Sequence, residues 1–324
     1  MSKRSFGIII GLALFAAAPA SAQNYPNKVI SMVVPFAAGG PTDTVARLIG
    51  VPMTKTLGQQ IIVENVAGAG GTIAANRVAK SSPDGYTILI HHIGMATAPG
   101  LYRKLPYNPI TDFEPIGLIN EVPMTLVAKK DFPAKDLKEL IAYVKANKEK
   151  VNYANAGLGA ASHLCGMVFM SAIQTDVTTV PYGGTGPAMN DLLGGQVDFM
   201  CDQTTNTTSQ IKAGKIKVYG VTTKKRVPSL PNVPTMDEAG LKGFDVSVWH
   251  ALYAPKGTPK PVIDKLAKAL QDALKDSTVK QRFEDLGTEP IALNRATPAA
   301  LRAQLKAEID RWTPIIKKAG VYAD

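Results

Sequence analysis

Four stretches of this chain place glycine between a β-branched apolar run and a helical one: Phe36–Thr42, Ala67–Thr72, Ala156–Ser162 and Pro181–Pro187. At such turns the backbone N–H groups face outward, glycine admits a ligand close to the main chain, and the helix start adds partial positive charge. The chemistry this predicts is capture of a small anion by backbone amides. One glycine turn is also what any tight strand-to-helix connection uses; four in one chain argue for a shared crevice. A nucleotide phosphate site is disfavoured. Gly157-Leu158-Gly159 leads to Ser162 where G-x-G-x-x-G needs glycine, and no G-x-x-x-x-G-K-[ST] occurs. Nucleophilic catalysis is the other chemistry to weigh, because Ser162, His163 and Cys165 lie close together. Adjacent helical residues point apart, and the pair that shares a face, Ser162 and Cys165, contains no base. There is no G-x-S-x-G and no H-E-x-x-H. No catalytic residue, metal or cofactor is expected.

The elements that must hold these turns alternate throughout. Val29–Val34, Ile61–Asn65 and Tyr86–Ile90 read as strands, with helices over Thr42–Leu57 and Thr72–Ser81. Pro52 is expected to bend or break the first helix. A second series follows: strands at Thr125–Ala128, Val151–Asn155, Thr178–Tyr182, Val197–Asp202 and Lys217–Thr222, with helices over Leu137–Asn147, Ser162–Ile173 and up to Leu193. Ser247–Ala254 reads as a returning strand, and two long helices, Pro259–Lys275 and Pro298–Lys318, close the chain. This order predicts an α/β protein of two lobes, each with a mostly parallel sheet, and a ligand cleft between them. The expected division is residues 23–124 plus 248–324 in lobe 1 and residues 125–247 in lobe 2. The crossings near Asn120–Thr125 and Val246–Tyr253 are strand-like, which suits a hinge.

The first 22 residues form a secretory signal: Lys3 and Arg4, an apolar Phe6–Ala18, and Ala20-Ser21-Ala22 as the cleavage site. The apolar stretch is short of the ~20 residues a spanning helix needs. Export to the periplasm is expected, without stable membrane insertion. The net charge of +10 becomes +8 once Lys3 and Arg4 are removed. The basic residues are dispersed among acids on helices rather than clustered with aromatics, which argues against nucleic acid. The chain has two cysteines, Cys165 and Cys201. In an oxidising compartment an even count favours a disulfide, the alternative being two small buried thiols.

The string Val33-Val34-Pro35-Phe36-Ala37-Ala38-Gly39-Gly40-Pro41-Thr42-Asp43-Thr44-Val45-Ala46-Arg47 resembles the opening motif of the Bug family, the periplasmic solute receptors of tripartite tricarboxylate transporters. The resemblance continues through Glu64-Asn65, Gly68–Gly71, Pro83–Tyr86, Asp112–Ile116, Ser162–Leu164, Val180–Tyr182, Asp191–Asp198 and Pro231–Thr235, nearly the whole exported chain. It implies a type II periplasmic-binding-protein fold, a small carboxylate held by backbone amides and ordered water, and delivery to membrane permease subunits by a monomer. GGPTDTVAR together with Cys201–Thr208 is similar to the branch associated with acidic amino acids such as aspartate. A C4-dicarboxylate, citrate or an aromatic carboxylate such as nicotinate is the alternative ligand. A receptor feeding a periplasmic signalling domain is the alternative role.

The expected ligand-binding residues are Phe36, Ala38, Gly39, Gly40, Thr42, Asp43, Gly70, Gly157, Gly159, Ala160, Ser162, Tyr182 and Asp202. Thr42 and Asp43 open a helix, where they serve as N-cap and first-turn carboxylate. As ligand groups, the Thr42 hydroxyl would bind a carboxylate and Asp43 would face an ammonium. An inward Asp43 or Asp202 favours an amino acid over a plain diacid, because an anion in an anion site needs a partner. Ser162 is expected to cap its helix, His163 to be structural, and either His91 or His92 to face the crevice.

Overall fold

The computed structural model describes residues 24–320 and 322–323, so the signal peptide and its cleavage site lie outside the described residues. The first half begins with β1 (Ile30–Val34), α1 (Pro41–Leu57), β2 (Ile61–Asn65), α2 (Thr72–Ala79), β3 (Thr87–His92) and α3 (Gly94–Leu101). β1 lies between β2 and β3, parallel to both. Its sequence ISMVV is buried at four of five positions, as expected of a strand covered on both faces.

The 17-residue β4 (Phe113–Lys129) carries the chain into the second half. There follow α4 (Leu137–Ala146), β5 (Asn152–Asn155), α5 (Ala161–Ile173), β6 (Thr178–Pro181), α6 (Thr185–Leu193), β7 (Phe199–Gln203), α7 (Thr204–Lys212) and β8 (Ile216–Val221). β9 (Ser247–Pro255) returns, followed by α8 (Lys260–Lys275), α9 (Ser277–Asp285), β10 (Glu289–Pro290) and α10 (Pro298–Ala319). β4 pairs antiparallel with β9 from Phe113↔Pro255 to Pro123↔Ser247. From Met124 onward it lies between β7 and β8, antiparallel to both. In the first half β2, β1, β3 and β4 run one way and β9 runs between them the other way. In the second half β6, β5, β7 and β8 share a direction and the end of β4 is the reversed strand. The chain crosses out and back once, so each mostly parallel sheet receives one long antiparallel strand, and the two-residue β10 adds a short antiparallel pairing with β4 in the first half.

Packing follows the sequence periods. α8 buries Val262, Ile263, Leu266, Leu270, Ala273 and Leu274 on one stripe and turns its lysines to solvent. In the second half Tyr153, Phe169 and Phe199 pack edge to face, and a disulfide joins Cys165 of α5 to Cys201 of β7. α1 continues through Pro52 rather than stopping there. Pro52 cannot donate to the Leu48 carbonyl one turn earlier, and both residues are half-buried at the edge of the helix.

Candidate ligand-binding site

α1 begins at Pro41 with Gly40 as its N-cap, and its first intrahelical bond is Thr44 N–H to the Gly40 carbonyl. Proline has no N–H to leave unpaired. The N–H groups of Thr42 and Asp43 therefore precede the helical ladder. At α5 the first such bond is Leu164 N–H to Ala160, which leaves Ala161, Ser162 and His163 in the same position. α6 starts after Gly184 and α7 after Gln203. These four helix starts converge on one cavity of about 280 Å³, counting the open space at its mouth. Gly40 and Thr42 line it from the first half, with Phe36 and His92 behind them. Ala160, Ser162, Thr185, Asp202 and Gln203 line it from the second. Helix starts from both halves make the walls anion-attracting.

Within this setting sits a buried carboxylate. Asp202 is 1 % exposed and accepts from the Gln203 N–H at 2.8 Å and Asn206 Nδ2 at 2.6 Å. Burial pushes its carboxyl up to about 6, against the pull of those donors and the Thr185 hydroxyl. None of these partners is cationic. Gln203, 4 % exposed, keeps its Oε1 without a hydrogen-bond partner. His92 stacks on Phe36 with ring centroids 4.7 Å apart. Its Nδ1 accepts the Gly94 N–H at 2.9 Å, which places the ring proton on Nε2. Burial holds His92 well below the usual imidazole value, so it stays neutral. Among the described residues no group of His, Cys, Asp and Glu is arranged to hold a metal ion.

Several expected contacts are elsewhere. Asp43 is engaged within the protein: it accepts from Arg47 Nη2 and Asn65 Nδ2 on Oδ1, and from Arg47 Nε and the Gly39 N–H on Oδ2, and it is not among the residues lining the cavity. Burial alone would raise its carboxyl, but these donors hold it below the usual value. Asp43 is thus the brace of its own turn. Ser162 does not cap α5, whose N-cap is Ala160; its Oγ accepts the Ala156 N–H at 2.9 Å and closes the loop. His163 is buried, and its Nδ1 lies 3.4 Å from the Gly159 N–H it accepts.

Gly70, Gly157 and Gly159 line the meeting of the two halves rather than the cavity. A Cβ on Gly70 would fall 1.8 Å from the Leu158 carbonyl oxygen, and one on Gly157 3.3 Å from the Gly70 nitrogen. The Tyr102 hydroxyl spans the same seam, 2.7 Å from the Ala69 carbonyl and 3.0 Å from that of Leu158, and Thr97 donates to the Gly159 carbonyl. At a second seam the Ala37 N–H donates to the Gly183 carbonyl at 2.9 Å. Ala38 and Gly39 press there against Gly186, on which a Cβ would meet them at 2.9 and 3.0 Å. Tyr182 donates to Asp191 at 2.7 Å and does not line the cavity. The halves are therefore closed on each other, and half of the glycine signal serves their close approach.

Of the two histidines expected near the crevice, His92 lines the cavity, whereas Thr185 and Gln203 are walls outside the expected set; Gln203 precedes α7 with no glycine to mark the turn. A larger open groove of about 1220 Å³ lies at the crossing strands, bordered by Glu121, Ser247, Ser229 and Thr288, and contains none of the expected ligand residues.

Comparison with known proteins agrees with this geometry. Residues 45–321 match the model of the tripartite tricarboxylate transporter family receptor. A protein encoded in the TAR-I ttuE–ttuC′ intergenic region of Agrobacterium vitis is 51% identical over 320 residues, covering 99% of this chain and 92% of that protein. The structure of the periplasmic binding protein BugD superposes with a TM-score of 0.90 at 56% identity, covering 92% of this chain and 99% of that one. MatC from Rhodopseudomonas palustris with bound malate superposes with a TM-score of 0.88 at 45% identity, covering 90% and 100%. The matching family is one of transporter receptors, and BugD is a periplasmic binding protein rather than an enzyme. With its two closed α/β halves and helix starts gathered round one cavity, the chain belongs to the Bug family of tripartite tricarboxylate transporter receptors.

Proposed function

We propose that this receptor closes on an acidic amino acid, with aspartate as the best fit, and presents it to the membrane permease of a tripartite transporter. The observation that carries the reading is Asp202, a buried carboxylate at the cavity with neutral hydrogen-bond partners. Helix N-termini suit the ligand's carboxylates, and an ammonium supplies the charge that offsets Asp202. The bound ligand touches both halves and so favours the closed state over the open one.

The proposed hinge lies where β4 changes partners, between Pro123 and Met124, next to Ser247 of β9. That supports lobes of residues 23–124 plus 248–324 and 125–247. The ligand-binding set we propose is Phe36, Gly40, Thr42, His92, Ala160, Ser162, Thr185, Asp202 and Gln203. Among the described residues no helix is long and apolar enough to cross a membrane. With the N-terminal secretory signal, this supports an exported monomer working in the periplasm beside its permease.

A second reading is a C4-dicarboxylate, favoured by the likeness to the malate-bound MatC structure. The two readings separate in a thermal-shift panel of ligand-stripped protein against L-aspartate, L-glutamate, succinate, L-malate, citrate and nicotinate. A ligand at a hundred times its Kd stabilises by ~2.7 kcal/mol. We expect a shift with aspartate that is lost in Asp202→Asn. Equal shifts with succinate and aspartate, both insensitive to that substitution, would overturn the amino-acid reading.

A further inference from the structure

Behind the cavity wall runs a chain of hydrogen bonds whose direction can be read. Thr42 Oγ1 lies 3.2 Å from Nε2 of His250, and Nδ1 of His250 lies 3.0 Å from Oδ1 of Asn120. The three residues are 2 %, 0 % and 0 % exposed. They join the ligand turn at α1 to both crossing strands, since Asn120 belongs to β4 and His250 to β9.

The far end fixes the direction. The Thr288 hydroxyl donates to the backbone carbonyl of Glu121 at 2.7 Å, and a carbonyl only accepts. Thr288 has no second proton, so the Asn120 group facing its oxygen at 3.4 Å is the amide NH2. Asn120 therefore turns its carbonyl oxygen toward His250, and His250 meets it with a proton on Nδ1. Burial drives His250 down to about 3, so the ring carries no second proton and Nε2 is bare. A bare nitrogen accepts, and the partner that donates to it is the Thr42 hydroxyl.

We infer that Thr42 meets the ligand as a hydrogen-bond acceptor and recognises a hydroxyl or ammonium donor on it, rather than a carboxylate. This rests on the cavity being a small-carboxylate site, and it names the substrate class within that reading: carboxylates bearing an adjacent donor group. It reverses the role that the position of Thr42 at a helix start suggests. A second observation points the same way. Gln203, whose Oε1 is buried and unpartnered, lines the same cavity from the other half, and Asp202 lines it too. Acceptor oxygens from both halves call for donors on the ligand, while its carboxylates fall to the helix-start amides. A site built of acceptors rejects an analogue that lacks the donor, because its own buried oxygens are then left unpaired.

The experiment uses the full exported chain and the ligand pair L-malate and succinate, which differ by one hydroxyl. Calorimetry of the unaltered protein should show malate bound at least tenfold more tightly. Thr42→Val, which keeps the shape and removes the oxygen, should bring that ratio toward one, mainly by weakening malate. Thr42→Ser should restore it. A Thr42→Val protein that loses malate and succinate in equal proportion would place the hydroxyl on a carboxylate and overturn the inference. Nitrogen-15 NMR of the imidazoles tests the relay without any ligand. The chain has four histidines, so His→Phe variants assign His250. A proton on Nδ1 supports the relay, and a proton on Nε2 overturns it whether or not malate or succinate binds. Failure of the amino-acid reading looks different: aspartate is silent while the malate-to-succinate ratio and the tautomer stand.

Discussion

Asp43 and Asp202 carry the same carboxylate into different surroundings. Asp43 is saturated by Arg47, Asn65 and the Gly39 N–H, whereas Asp202 has neutral partners and a wall of the cavity. The consequence is a pH dependence with a definite sign. With its carboxyl at about 6 in the ligand-free protein, Asp202 is ionised at pH 7.5 and protonated at pH 5. An ammonium ligand prefers the ionised form, so below about pH 6 binding must expel a proton. Aspartate affinity should then fall by up to about tenfold per pH unit below 6 and be flat above 7. The ligand's own side-chain carboxylate, near 3.9, stays largely ionised over this window. Calorimetry in two buffers of different ionisation enthalpy checks the released proton. An affinity equally flat from pH 5 to 7.5 would mean that Asp202 does not meet the ligand's charge. At this scale the sequence showed which residue types were present but not which were already engaged. Arg47, four residues after Asp43, carried that information as an i,i+4 pair, and only the fold adds Asn65 and Gly39 to it.

Glycine turns do two jobs, and the structure separates them. Gly40 opens α1 at the cavity, while Gly70 lets the Ala69–Gly71 turn sit against Leu158. Gly70→Ala should therefore act on closure. The Cβ would collide with the Leu158 carbonyl, and φ at this position is +60°. We expect ligand affinity to drop at least tenfold, with only a small loss in ligand-free melting temperature. Small-angle scattering should show that ligand no longer compacts the variant; unchanged affinity would mean the seam is dispensable. The βα units were legible because β-branched runs end in glycine and amphipathic helices follow. β4 was visible only from Thr125 to Ala128, since Asn120, Glu121 and Pro123 do not look like strand interior. α7 was invisible for another reason. TTNTTSQIK has no apolar stripe, and it packs instead through threonine hydroxyls, with Thr204 donating to the Gly287 carbonyl and Thr208 to that of Leu286. Short α3 and α9 likewise went unread. The amide-lined cleft was legible as a class of site; its acceptor side was not, because it depends on hydrogen-bond directions set by residues 78 to 246 positions away from Thr42.

Across the whole molecule, all four histidines are buried and kept neutral. Burial lowers His91 and His163 to about 4, His250 to about 3, and His92 well below the ordinary value. In the unfolded chain each takes a proton near pH 6.5. The unfolded state thus binds more protons below that pH, and stability falls as pH falls from about 6.5 toward 4, by up to ~1.4 kcal/mol per histidine per pH unit. Melting temperatures between pH 7.5 and 4.5 should drop steeply, with a shallower slope in His163→Phe. A curve flat over that range would show that the histidines charge without cost. The disulfide also acts beyond the place where it sits. It closes a 36-residue separation, worth about 3–4 kcal/mol against the unfolded chain in the entropic model. Cys165 lies one turn into α5, after Ser162, and Cys201 is the residue before Asp202. The bond therefore braces two walls of the cavity against each other within one half. A chain folded without an oxidant would leave those walls unlinked, so reduced protein should bind its ligand more weakly than oxidised protein, a difference that calorimetry with and without a thiol reductant would read.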